Sequence, residues 1–359
     1  MTQRRSTGTT RFPFKLSLNS LPSPRQRQRG LTMVELLVAL VISLLITLAA
    51  VAALTVSRQG FNTVDASSQL RDNVRFITDL MQRLGVQSGF KDAVYAAALA
   101  PPSVAGVSAD PDPNITGFNN ALIDGTDPLN TSTARTTGVE GFGSDILILR
   151  YQTLETFPGS GISDKSMIDC AGFTASVVPS DRYDRLVSII HVALSQGEPS
   201  LMCSRSPTGA APFSTEPIIQ GVENFQVLYG VQGVSAGVAP PAIPASAATA
   251  ATDSAPDSYL RADQMTVIGD TAGTNANWRR VRSLRIGMVI RGPLNSAQDK
   301  VSQTLYPFGL AKSSSGATAG SAMSNTAALD PGTVFTPAVD GRLRRVATFT
   351  VHLRNDQGL

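Results

Sequence analysis

The sequence predicts an α+β protein in which one long N-terminal helix is packed on an antiparallel β-sheet domain with long loops. Two observations predict this. An uncharged apolar run leads directly into a helical heptad-like stripe, and five widely spaced β-type segments follow that single helix. Composition sets the outer bounds. The chain has 359 residues, of which 42% are hydrophobic and only 16% charged. That is ample for a core without staples, and it excludes collagen, a disulfide-dense scaffold and a wholly disordered chain.

Charge is unevenly placed. Residues 1–30 hold seven basic residues and no acid, a local +7 against a formal total of +3, so the rest of the chain carries −4. Pro13, Pro22 and Pro24 make this stretch a poor folding unit. From Leu36 to Val56 there are 21 residues without charge, Pro or Gly. As a helix this run is about 31 Å long, enough to cross a hydrocarbon core of about 30 Å. The basic flank predicts a cytoplasmic leader and an exported remainder.

The helix is predicted to continue. Leu70, Val74, Ile77, Met81 and Leu84 are spaced 4, 3, 4 and 3, and Phe61 and Val64 precede them as part of the same apolar recurrence. Asp72/Arg75, Arg75/Asp79 and Asp79/Arg83 are opposite charges at neighbour spacing. Leu31 to Leu84 forms one helix about 80 Å long. Gly60 is its weak point, and Gly85 and Gly89 are its expected stops.

Five β segments follow: 144–151, 186–194, 222–231, 282–291 and 345–354. In the last, Ala347, Phe349, Val351 and Leu353 share one face. Residues 235–255 and 313–338 are biased to Ala, Pro, Ser, Thr or Gly and read as loops, as does Gly106–Gly141. The expected organisation is a leader at 1–30, a transmembrane half-helix at 31–56, an amphipathic half at 57–89 and a β-rich periplasmic domain at 90–359.

The chemistry-bearing residues are few. Cys170 and Cys203 are the two cysteines; an exported compartment favours their oxidation to a disulfide, the alternative being two buried thiols. His191 and His352 lie far apart and away from acids, as structural residues do. No H-E-x-x-H, G-x-S-x-G, S-x-x-K or P-loop occurs, so no catalytic residue, metal or cofactor is expected. Asp110-Pro111-Asp112-Pro113-Asn114 and Asp124-Gly125-Thr126-Asp127 read as solvated turns rather than calcium loops. Arg279, Arg280, Arg282 and Arg285 read as positive charge on a sheet edge rather than a nucleic-acid site.

One residue is out of place. Glu35 sits at the head of the apolar run, five residues after Gly30, where a carboxylate is costly unless interfacial or paired. The stretch Arg29-Gly30-Leu31-Thr32-Met33-Val34-Glu35-Leu36-Leu37 resembles the class III leader and N-terminal helix of type IV pilins and pseudopilins. The resemblance implies a pilin-like fold and cleavage by prepilin peptidase between Gly30 and Leu31. It also implies methylation of the Leu31 amine and a role for Glu35 in assembly, pairing with the amine of a neighbouring subunit. A secretory signal peptide cut after Ala50-Val51-Ala52 is the competing reading; the apolar segment is long for it and carries Glu35. The segments at 144–151, 221–231, 278–291 and 344–355 resemble PilW-type minor pilins, which share a PulJ-like region with type II secretion pseudopilins. That resemblance implies a non-enzymatic subunit that helps start pilus assembly at or near the tip. Its partners would be other minor pilins, the major pilin, prepilin peptidase, the assembly platform and the inner membrane, with nucleic acid not expected. The alternatives are a type II secretion pseudopilin, or a membrane-anchored periplasmic enzyme or binding protein.

Overall fold

The computed structural model describes residues 30–93, 112–176, 178–206, 208–241, 255–310 and 330–355. The chain divides into two units, residues 1–55 and 56–359. Helix α1 runs from Met33 to Gln87. It is uninterrupted at Gly60, and Gly85 lies within it rather than ending it.

Within the second unit α1 buries Ala66, Leu70, Ile77, Met81 and Leu84, with Val74 half-buried. The stripe from Leu70 onward thus faces the core, as its spacing requires. Phe61 and Val64 do not join it: they are 73% and 70% exposed.

Eleven strands follow among the described residues. The first five in the chain are β1 (Ile115–Phe118), β2 (Ala121–Ile123), β3 (Ser132–Ala134), β4 (Ile146–Tyr151) and β5 (Leu186–Ser195). Next come β6 (Glu198–Ser206), β7 (Ser214–Gln220), β8 (Val222–Val231) and β9 (Ser258–Leu260). Helix α2 (Thr271–Trp278) precedes β10 (Val281–Arg291) and β11 (Arg344–His352). One sheet has the order β1-β4-β5-β6-β7 and the other β11-β10-β8-β9, while β2 and β3 pair separately. All pairings are antiparallel.

Two turns set this topology. Gln196 and Gly197 both have positive φ (54° and 80°), the geometry of the tight hairpin that joins β5 to β6. Gly221 (φ 88°) carries the chain from β7 in one sheet to β8 in the other. A Cβ there would lie 2.5 Å from the Arg291 carbonyl oxygen, so the position requires glycine.

The five expected β segments are present as β4, β5, β8, β10 and β11, with ends shifted by at most two residues. Three expectations for the β domain fail. Gly106–Gly141 is not wholly loop: its described part holds β1, β2 and β3. The described part of Asp110–Asn114 is not a solvated turn, because Pro113 and Asn114 are buried and their oxygens accept from Arg150 and Arg185. The arginines of 279–285 do not line a sheet edge, because β10 is an interior strand, between β8 and β11. Arg282 is buried and donates to the Arg279 carbonyl (3.1 Å), and Arg285 donates to Thr350 Oγ1 (2.7 Å).

The core lies between α1 and both sheets. Leu70, Ile77, Met81 and Leu84 belong to one cluster with Leu147, Leu149, Ile190, Phe225, Tyr229, Ile286 and Val351. Asp145 stitches the sheets together: its amide donates to the Phe225 carbonyl (2.7 Å), and its carboxylate accepts from Val227 (2.7 Å) and Asn120 (2.9 Å). Burial first, and the nearby Asp330 carboxylate second, push the Asp145 carboxyl well above its usual range. Beside this seam, Glu223 pairs with Arg344 (2.6 Å) and Arg291 (3.0 Å), and Glu198 with Arg291 (2.7 Å) and Arg342 (3.0 Å). The basic ends of β10 and β11 are thereby locked to the starts of β6 and β8.

Candidate assembly site

Two places hold the residues singled out from the sequence, the start of α1 and the Cys170 loop. Gly30 and Leu31 are exposed and precede α1. Helix formation starts at Thr32, whose carbonyl accepts from Leu36 (3.1 Å) and whose Oγ1 accepts from the Glu35 amide (3.3 Å). Thr32 is therefore the N-cap, a role missed in reading the sequence. Its signal is the Thr-x-x-Glu spacing of a capping box, Thr32 to Glu35. Glu35 lies in the first turn, where the unsatisfied amides of a helix favour negative charge.

Beyond Glu35, every residue of α1 as far as Gln59 is exposed. The hydroxyls within it are satisfied locally. Ser43 donates to the Leu40 carbonyl (2.9 Å), Thr47 to Leu44 (2.9 Å) and Thr55 to Ala52 (2.8 Å). Such back-bonding leaves no bare polar atom on a helix that is long and apolar enough to cross a membrane.

Cys170 and Cys203 are joined by a disulfide, with Cα atoms 5.5 Å apart. Both are buried, and the bridge fastens the loop before β5 to β6, a central strand of its sheet. Gln87, the last residue of α1, adds a second fastening: it exchanges hydrogen bonds with both backbone groups of Ile168.

The histidines are not brought together. His191 is buried on β5 with Nε2 2.9 Å from Ser204 Oγ, while His352 is exposed on β11. Burial, and then the Arg135 charge, depress the His191 pKa to about 4. Asp124 forms the expected turn, its carboxylate accepting from Thr126 (2.8 Å) and Thr131 (3.0 Å). Those hydrogen bonds, Thr126 foremost, lower its pKa to about 2. Among the described residues, no three His, Cys, Asp or Glu side chains converge as a metal would need.

Comparison with known proteins adds two matches. Residues 25–51 match the prokaryotic N-terminal methylation motif, and residues 190–355, from β5 through β11, match the family described as type IV pilus-assembly protein W. A type IV-like pilin, TTHA1219, from Thermus thermophilus aligns at 11% identity over 80% of this chain and 97% of its own. Its TM-score is 0.35, too low for the likeness to bear on fold or function. None of the curated proteins compared matches this chain.

A methylation motif on an apolar helix, followed by antiparallel sheets packed on that helix's second half, defines a membrane-anchored protein of the type IV pilin class. The match of residues 190–355 to the PilW family, together with the methylation motif, supports a PilW-type minor pilin. At the family level this means a structural subunit that meets other pilus components.

Proposed function

We propose that the chain is made with a leader, residues 1–30, which prepilin peptidase removes at the cytoplasmic face between Gly30 and Leu31. Leu31 is then N-methylated. Residues 31–56 hold the subunit in the inner membrane, the amphipathic half-helix 57–89 leads out of it, and the β-rich domain 90–359 stands in the periplasm. The subunit then enters the pilus with other minor pilins and the major pilin, at the assembly platform, and acts in initiation at or near the tip. Nucleic acid has no place in this role.

The observation that carries this reading is the pairing of one carboxylate, Glu35, with the uncharged, exposed stretch Leu36–Val56 of a helix that begins three residues after Gly30. Cleavage there leaves Leu31 as the residue ahead of the Thr32 cap. An amine so close to a helix N-terminus is repelled by the local dipole, and a carboxylate from an adjoining subunit offsets both charges as they leave water. Burial in a bundle covers the apolar side chains once the helix leaves lipid.

The test is Glu35→Ala in cells that assemble pili. Leader removal should persist, seen as the unchanged electrophoretic shift, while incorporation into sheared pili falls at least about tenfold, the loss of roughly 1.4 kcal/mol or more. Undiminished incorporation would overturn the pairing role.

A further inference from the structure

A cleft of about 450 Å³ opens between β1, at the free edge of the five-stranded sheet, and the segment that carries α2. Its size falls within the range of about 300–1,000 Å³ usual for small-molecule sites. Thr271, Thr274, Asn275 and Trp278 of α2 all line it, at positions i, i+3, i+4 and i+7. One face of the helix therefore turns to the cleft; Trp278 apart it is polar, with the Thr274 hydroxyl already bonded to Val267 and Asp270. The side chains of Thr271 and Asn275 have no hydrogen-bond partner among the described residues. Asn130 also borders the cleft, its amide nitrogen already donating to the Asp127 carboxylate (3.0 Å).

The charges exclude most ligand classes. Asp112 disfavours an anion and Arg150 a cation, while Asp263 is already paired with Arg261 (2.8 Å). The guanidinium that reaches it, Arg150, is already committed to the Pro113 carbonyl and to Thr116 Oγ1, both at 3.0 Å. An apolar ligand would strand the hydroxyls and amides. What remains is a neutral molecule that needs donors and acceptors in alternation. Side-chain amides and hydroxyls supply both, and carboxylates accept from adjacent hydroxyl groups. At the end of the α2 face the Trp278 indole is held by edge-on packing against Tyr229, with centroids 4.7 Å apart and planes at 87°.

We infer that this cleft is a binding site for a neutral saccharide of one or two rings. The inference stands apart from the assembly role, because α1 contributes nothing to the cleft. The test uses the full chain in zwitterionic detergent micelles whose head groups carry no sugar. Saturation-transfer NMR is run with galactose, lactose, N-acetylglucosamine and N-acetylgalactosamine in turn. At least one of the four should receive saturation from the protein. The double variant Thr271→Val/Asn275→Leu should bind that sugar about tenfold or more weakly, and Thr271→Val alone, at an exposed helix position, should show a smaller loss with the fold intact. Absence of transfer to all four sugars would overturn the inference. So would undiminished binding by a folded Thr271→Val and, where it folds, by the double variant.

Discussion

Replacing Gly85 with alanine sets two effects of known size against each other. In a helix interior alanine is favoured over glycine by about 1 kcal/mol, so secondary structure alone predicts a more stable protein. The structure predicts the opposite. A methyl group on Gly85 would overlap Val351 Cγ1, with Val351 Cβ itself at 3.5 Å and Leu353 Cδ2 at 3.8 Å. Carbon atoms rest roughly 3.5–4.0 Å apart, so α1 and β11 must separate or Val351 must leave its rotamer. Neither is easy. Val351 is 2% exposed, β-branched, and paired with Leu284 near one end of the β10–β11 ladder. Overpacking of this kind costs about 1–3 kcal/mol, and a buried, ladder-bound partner puts Gly85→Ala at the upper end. The net expectation is a loss of about 2 kcal/mol. Guanidinium unfolding followed by fluorescence measures it, since Trp278 is the single tryptophan and lies in the same core cluster as Val351. Val351→Ala should relieve the overlap, so the double variant should be more stable than the two single losses added together, with a coupling of about 2 kcal/mol. Gly85→Ala as stable as the parent, or more so, would refute the close-approach argument and leave Gly85 an ordinary helix residue.

Two further predictions concern the β domain. Cys170→Ser/Cys203→Ser opens a loop of sequence separation 33 and should destabilise by about 3–4 kcal/mol; intact-mass spectrometry of the parent should show two hydrogens fewer than the reduced chain. Two thiols open to alkylation in the native parent would contradict it. His191 makes stability depend on pH. Its folded pKa of about 4 lies below the ordinary histidine value of 6.5, so the unfolded state binds more protons between those values and stability rises with pH there. The contribution, about 3 kcal/mol by conversion of the shift, is complete above pH 6.5 and is lost as pH falls through about 4. His191→Gln should flatten the difference between urea curves at pH 7 and pH 4.5, and equal slopes for parent and variant would refute it.

What the sequence made legible depends on how local each signal is. The start of α1 could be read because Gly30, Leu31 and Glu35 form a linear pattern that needs no tertiary partner. Strands β8 and β10 could be read because their apolar content is dense enough to stand out. Strand β6 could not. It runs Glu-Pro-Ser-Leu-Met-Cys-Ser-Arg-Ser, yet seven of its nine residues are buried. Its serines are tolerated inside because they find specific partners, as Ser204 does in His191 and Thr215. Strand β7 carries Pro217, which argues against a strand until its position at a register shift on the sheet edge is known. The arginines of 279–285 misled for the opposite reason. Charge in a strand suggests exposure, but Arg282 is buried against a backbone carbonyl that only the folded chain supplies. The cleft beside α2 gave no signal at all, since four separate segments build its walls.

The exposure of Phe61 and Val64 sharpens the reading of α1. They belong to the same apolar recurrence that precedes the Leu70–Leu84 stripe, yet the residues around them divide differently. Thr63 faces the domain and donates to the Ser296 carbonyl (2.9 Å), and Ala66 is buried. Phe61 and Val64 stay at 73% and 70% exposure. On a helix, residues 63 and 66 lie about one turn apart on one side, and 61 and 64 lie likewise on another. The helix therefore carries two apolar faces in this region rather than one. The face that includes Ala66 and Leu70 is consumed within the domain. The face with Phe61 and Val64 stays exposed beyond Val56, where the uncharged run ends. Two large apolar side chains held exposed beside a satisfied packing face fit a surface reserved for another chain. The proposed bundle would supply that chain, and its surface would then reach about two turns further along α1 than the uncharged run alone suggested.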